Sequence, residues 1–188
     1  PTISSTTRWR LAKGVQKSDI LNAIKSIPHG KAFGPDQVIS ELFFSDPEYW
    51  AERLETLFKD ERLAKEIQEG RVAFLFKNKG HTADRKKYRP VSALNVIYKI
   101  WASAQTFLAN EVVKDIMHPT QNGFRPKHAC RNSLELSTQV IQRAQEPKLS
   151  KAYLVQSQAF DKIIRKRLRK YLLQLGCPKK WVDELRKG

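Results

Sequence analysis

One apolar series constrains the fold more than any other feature of the chain. Leu94, Ile97, Trp101, Ala104, Leu108 and Val112 recur at intervals of three and four residues before Pro119. That spacing places all six side chains on one stripe of an α-helix, and such a stripe must be buried against other elements. A long amphipathic helix ending before Pro119 is therefore predicted. The chain has 188 residues and 40% hydrophobic content, enough for one sizeable core and a second small lobe.

Other segments are read around this helix. Residues 1–16 contain Ser4, Ser5, Thr6, Thr7, Arg8 and Arg10 without a period, which predicts an extended basic arm. Ser18 is placed to cap a helix whose apolar face is Ile20, Ile24 and Ile27, ended by Pro28 and Gly30. After a loop over 31–36, a second helix holds Val38, Leu42 and Phe43, and a third holds Trp50, Leu54, Leu57 and Phe58. The β-prone run Val72 to Phe76, followed by Lys77-Asn-Lys-Gly80, predicts a strand entering a turn, with its partner near Tyr88 to Val91.

Toward the C-terminus, Asn132 with Glu135 three residues later is a capping-box pattern for a helix to about Ala144. A strand is expected over Ala152 to Val155. A helix from Asp161 to about Leu175 is stopped by Gly176 and Pro178, and a short last helix carries Trp181 and Leu185. The fold class expected is α+β, mostly helical, with a small antiparallel sheet. Four regions are expected: an extended basic arm at 1–16, a helical segment at 17–69, a region around the sheet at 70–130 and a C-terminal region with a basic helix at 131–188.

Charge narrows the partner. Lys and Arg number 35 against 19 Asp and Glu, a formal net charge of +16, and the pI is about 10.0. A polyanion is implied, nucleic acid first. No stretch approaches the roughly 18 apolar residues of a membrane-spanning helix, so no membrane partner is expected. Cys130 and Cys177 lack further ligands at zinc-site spacing, although His128 lies two residues from Cys130. They read as ordinary buried thiols in a reducing compartment, and no metal or cofactor is expected from them. No secretory signal is visible, and the chain begins at Pro1, which leaves room for a presequence removed earlier.

Four blocks, in order, carry a resemblance. Lys31-Ala-Phe-Gly-Pro-Asp36 with Ile39 to Phe43 is similar to a "KAPGPD…ELL" segment. Arg71 to Gly80, Tyr88-Arg-Pro-Val-Ser92 and Tyr98-Lys-Ile100 are similar to "IPKKG…NYRPISLL…YKI". Gln121-Asn-Gly-Phe-Arg-Pro126 is similar to "QFGFRP", and Ala159-Phe-Asp161 to the end of "DFxKAFD". From residue 31 to about 175 the chain resembles the N-terminal part, fingers and start of palm, of reverse transcriptases of the non-LTR retrotransposon and group II intron type.

The resemblance implies a palm that binds two magnesium ions through the first Asp of its motif A and a later Asp pair. Counting back six from Asp161 places the first Asp at Val155, which offers no oxygen to a hard cation, and the motif's Lys is Gln158. Asp161 cannot take over, because six extended residues reach up to roughly 20 Å; it reads as a helix cap. No paired-Asp stretch of the YxDD type occurs in the chain. A degenerate, catalytically inactive protein is expected, with no catalytic residue and no small-molecule substrate.

In that family the finger motifs hold template and nucleotide through Lys and Arg, and Lys77, Lys79 and Arg89 match those positions, with Arg125 and Lys127 in the next turn. The competing reading is a solvated loop tip, with Arg89 a buried structural Arg paired to an acid. Independently, Lys162, Arg165, Lys166, Arg169 and Lys170 fall at i, i+3, i+4, i+7 and i+8, opposite an apolar stripe of Ile164, Leu168, Leu172 and Leu175. That basic stripe is expected to face outward and make the main RNA contact. Trp9, Tyr88 and Phe33 are candidates for base stacking, whereas Trp50, Trp101 and Trp181 sit in apolar periods and are expected in the core.

The function expected is RNA binding, as a structural component of a large ribonucleoprotein such as a mitochondrial ribosome. Ribosomal RNA and neighbouring proteins of the particle are then the partners, and the location mitochondrial, with nuclear or cytoplasmic as the alternative. Two rival readings are a fragment of a retroelement RNA-directed DNA polymerase and a protein-interaction subunit.

Overall fold

The structure is a computed structural model, and it describes residues 1–59, 65–123, 125, 128–143 and 162–185. The predicted long helix is α6, Val96–Ile116, 21 residues and therefore about 31 Å long. The other helices are α1 Ser5–Lys13, α2 Lys17–Ser26, α3 Glu41–Ser45, α4 Pro47–Lys59, α5 Lys65–Gln68, α7 Cys130–Arg143, α8 Arg165–Gln174 and α9 Lys179–Glu184. Two strands, β1 Gly70–Phe76 and β2 Tyr88–Leu94, form an antiparallel pair. The chain is thus mostly helical with one small antiparallel sheet, as its patterning implies.

Both ends of α6 are buried, against different neighbours. Val96, Ile100 and Ala104 join Ile20, Ala23 and Ile24 of α2, Phe43 of α3, and Ala51 and Leu54 of α4 in one cluster. Farther along α6, Leu108 and Val112 join Ile3, Leu11, Leu175, Cys177, Trp181 and Val182 in a second. Between the clusters, the buried indole N–H of Trp181 donates to the Gln105 side-chain oxygen at 3.0 Å. Trp101 is also buried and Trp50 packs against the first cluster, so all three tryptophans belong to the packed interior. Burial pushes the Cys177 thiol pKa up, and Arg8 nearby partly offsets it.

The N-terminal segment is a helix where an extended arm was expected. Ser4 caps α1 by accepting the Thr7 backbone N–H at 3.1 Å. Ile3 and Leu11 are buried in the second cluster; the Ile3 N–H donates to the Leu175 carbonyl and the Ser4 N–H to the Asp115 carboxylate. Two anchors two helical turns apart leave no periodic signature, so the helix is held by tertiary contacts with α6 and α9. Ser18 is not the cap of α2. That position belongs to Gln16, whose N–H donates to Asp19 at 2.8 Å, and Arg10 forks onto the same carboxylate.

The Lys31-to-Asp36 loop lies against the start of α6. The Asp36 N–H donates to the Asn95 side chain and Lys99 Nζ to the Ala32 carbonyl. A Cβ on Gly34 would stand 2.5 Å from the Asn95 nitrogen and 2.7 Å from its Cα, so this glycine lets one backbone approach another.

Two C-terminal expectations are corrected. The Asn132–Glu135 capping box does not form: α7 starts at Cys130 and Glu135 pairs with Arg131 at 3.0 Å. The last long helix begins at Arg165 after Ile164, which makes no side-chain cap, and not at Asp161. Asp161 itself, Val155, Gln158 and the strand expected at 152–155 lie outside the described residues.

Candidate nucleic-acid interface

The β1–β2 hairpin is a two-stranded ribbon with its faces in solvent. Its register pairs Arg71 with Ala93, Ala73 with Val91, Leu75 with Arg89, Phe74 with Pro90 and Phe76 with Tyr88. Because side chains alternate across a strand, one face carries Arg71, Leu75, Arg89 and Val91, and the other Val72, Phe74, Phe76, Tyr88 and Pro90. Past the strands, the Lys77 N–H donates to the Lys87 carbonyl at 2.8 Å and Lys77 Nζ to the Lys86 carbonyl at 2.9 Å, closing the tip. Residues 70–94 hold seven Lys and Arg and one acid, Asp84. That carboxylate accepts the Lys86 backbone N–H.

Every ion pair among the described residues lies elsewhere, on the helices and their caps. Lys77, Lys79 and Arg89 are exposed. Arg89 is thus exposed rather than buried, and it is in no ion pair among the described residues. Sequence reasoning missed four further cations of the ribbon, Arg71, Arg85, Lys86 and Lys87. The strand register and the 3₁₀ turn Arg85–Lys87 bring them beside the others; the signal available was the absence of acids from the segment. Among the described residues β1 and β2 pack chiefly on each other and α8 on α9.

On α8 the expected stripe is divided. Lys162, Arg165, Lys166 and Lys170 are exposed, but Arg169 is half-buried and its guanidinium pairs with Asp183 of α9. The apolar stripe is divided as well. Leu175 is buried and Leu172 packs beside it, whereas Ile164 and Leu168 stand in solvent. Leu168, Leu172, Val182 and Leu185 line a groove of about 660 Å³, rimmed by Arg165 and Lys166. The stripe packs where Leu172 and Leu175 join the second cluster. Arg125 is partly buried, and its Nη1 has no hydrogen-bond partner among the described residues; Lys127 lies outside them.

Of the stacking candidates, Trp9 is exposed but carries Lys13 Nζ over its ring at 3.6 Å. Phe33 is exposed. Tyr88 is half-buried, 5.4 Å from the Phe76 ring, with its hydroxyl donating to the Thr82 carbonyl. Among the described residues no group of three or more His, Cys, Asp or Glu could hold a metal ion, and no helix is long and apolar enough to cross a membrane.

No family model matches the chain. The chain is similar to the transposon TX1 uncharacterized 149 kDa protein of Xenopus laevis, with 29% identity over 170 residues, covering 87% of this chain and 13% of that protein. It therefore spans about an eighth of the length of that curated relative. The likeness supports a transposon-derived relationship.

Proposed function

We propose that the chain is an RNA-binding protein of retroelement origin, built on reverse-transcriptase-like fingers, and that it contacts RNA through the β1–β2 hairpin with the outer charges of α8 as a second surface. One observation carries the reading: seven cations on an exposed ribbon, none in an ion pair among the described residues. A merely solvated surface intersperses acids that pair with its cations. A surface that neutralises phosphates keeps its cations free and gains from released counterions. Charge selects a polyanion; the resemblance of the finger motifs selects RNA. This puts the hairpin ahead of α8, because Arg169 already has a partner in Asp183.

The donor set does not fit the two magnesium ions of a polymerase, because the apolar side chain of Val155 has no oxygen to offer. Lys77, Lys79 and Arg89 hold a strand, and do so without turnover.

The test is titration of labelled RNA against the chain at several salt concentrations. The expected log–log slope is about −0.7 for each single-strand phosphate contacted, with no primer extension in magnesium or manganese. A flat salt dependence overturns the reading. RNA recovered with the native protein then separates the two assemblies: ribosomal RNA supports a scaffold in a ribonucleoprotein such as a mitochondrial ribosome, and a transposon transcript supports a template-holding piece of a retroelement polymerase.

A further inference from the structure

A cleft of about 550 Å³ opens where four segments of the helical core meet. The turn after α1 contributes Val15, the end of α4 Phe58, the middle of α6 Trp101 and Gln105, and α9 Glu184. Val15 packs against both apolar clusters and Phe58 against the first, so the walls are held by core packing. The volume lies within the range of ligand-binding cavities. Gln105 gives the cleft its chemistry. This residue is only 5% exposed, and its side-chain oxygen accepts the Trp181 indole N–H at 3.0 Å. An indole nitrogen can only donate, so the amide cannot be turned round. Its Nε2 is therefore left over, and among the described residues it has no hydrogen-bond partner.

The charges around this donor decide what it is for. Glu184 is half-buried and makes no ion pair or hydrogen bond among the described residues. A Cβ on Gly14 would stand 3.8 Å from its Oε2, which puts the carboxylate beside the turn after α1. Of the three lysines at the cleft, Lys59 is paired with Glu55 at 3.1 Å and Lys13 lies over the Trp9 ring, which leaves Lys180. A phosphate chain entering here would meet the Glu184 carboxylate with one uncommitted lysine to offset it, so the cleft does not continue the nucleic-acid surfaces. A purely apolar compound would leave the Gln105 donor unpaired in a dry site, which is costly. A peptide meets every requirement. Its C=O suits Nε2, its N–H suits Glu184, and an apolar side chain suits the walls.

We propose that this cleft docks a short extended segment of a partner protein, with one apolar side chain against Val15, Phe58 and Trp101, a backbone carbonyl on Gln105 Nε2 and a backbone N–H on Glu184. The bond to Trp181 then has a second role, because it fixes the amide with its nitrogen free for the ligand. The proposal goes beyond the RNA-binding reading and does not depend on it: the cleft shares no residue with the hairpin or with the exposed cations of α8.

The probe is a library of random heptapeptides displayed on phage and selected on the immobilised full chain; the enriched peptide is then synthesised and titrated. Enriched sequences should share one apolar anchor. In Gln105→Glu an oxygen still accepts the Trp181 N–H, while the other atom changes from donor to acceptor. Peptide affinity should fall by roughly 5- to 150-fold, the range for one lost hydrogen bond that leaves a group unpaired, with RNA affinity as in the wild type. Should that variant not fold, the wild type decides. In nitrogen-15 spectra the peptide should shift the indole signals of Trp101 and Trp181 and leave that of Trp50, which does not line the cleft. A selection that enriches no peptide overturns the proposal, as does a peptide that leaves both indole signals in place or binds Gln105→Glu as tightly as the wild type. Displacement of the peptide by unstructured RNA also overturns it and gives the cleft to nucleic acid. A flat salt dependence of RNA binding sinks the RNA-binding reading alone.

Discussion

The guanidinium of Arg169 on α8 donates to the carboxylate of Asp183 on α9, fourteen residues farther along the chain. The pair takes one member out of a basic stripe that the helical period alone makes continuous, and ties the two helices over the groove lined by Leu168, Leu172, Val182 and Leu185.

Charge removal on α8 should therefore separate into two effects. Both members of the pair are more than a third exposed, so water screens it, and Arg169→Gln should cost at most about 1 kcal/mol with little change in RNA affinity. Arg165, Lys166 and Lys170 changed together to Gln keep good helix formers at exposed positions. Stability should hold while the salt slope falls by about 2 if all three meet phosphates. The same change at Lys77, Lys79 and Arg89 should weaken binding more. A normal hairpin variant beside a defective α8 variant would return the main contact to the helix.

Gly34→Ala is expected to be among the most damaging small substitutions. The added methyl would meet Asn95 backbone atoms, at 2.5 and 2.7 Å, and backbone cannot swing aside as a side-chain tip can. The loop would have to leave α6, at a cost of about 1–3 kcal/mol, read as a lower urea midpoint at unchanged m-value. A wild-type midpoint would show that the loop does not pack there.

The Trp181–Gln105 hydrogen bond spans 76 positions of sequence and is buried. Gln105→Leu leaves an indole N–H unpaired in the interior, which costs about 1–3 kcal/mol. In Trp181→Phe the donor is gone, so adding Gln105→Leu should cost less than it does alone. Strict additivity in that double-mutant cycle would contradict the bond.

Asp115 ties down the N-terminal helix. Its carboxyl is held below the usual value, first by the Ser4 backbone N–H and then by the Thr7 hydroxyl. A lowered folded pKa means that the tether is fully present above the ordinary carboxylate range and is lost as pH falls through the lowered value. The window lies below about pH 4. Asp115→Ala should make trypsin cleavage after Arg8, Arg10 and Lys13 faster at neutral pH and should remove the acid-dependent step. Unchanged cleavage would mean that Ile3 and Leu11 hold α1 unaided.

Helix α6, the cores of α2 and α4 and the existence of the hairpin were legible because their signals are local. A three-and-four spacing or an alternation is complete within a few residues, and backbone geometry converts it directly into a helix stripe or a strand face. The tryptophans of the core were legible for the same reason, whereas Lys77, Lys79 and Arg89 were singled out by the resemblance of their motifs. Other features needed partners far away in the chain. Residues 5–13 are helical because Ile3 and Leu11 reach α6, α8 and α9, and no local period announces two such anchors. Arg169 is engaged because the turn through Gly176, at φ +92°, brings Asp183 back beside it. Ile164 and Leu168 are exposed although they share the period of the buried Leu175, because burial depends on what the fold brings opposite each turn of the helix. The division of the hairpin into a cationic and an aromatic face depends on which residue of β1 opposes which of β2. Register is a relation between two segments, and only the tertiary structure decides it.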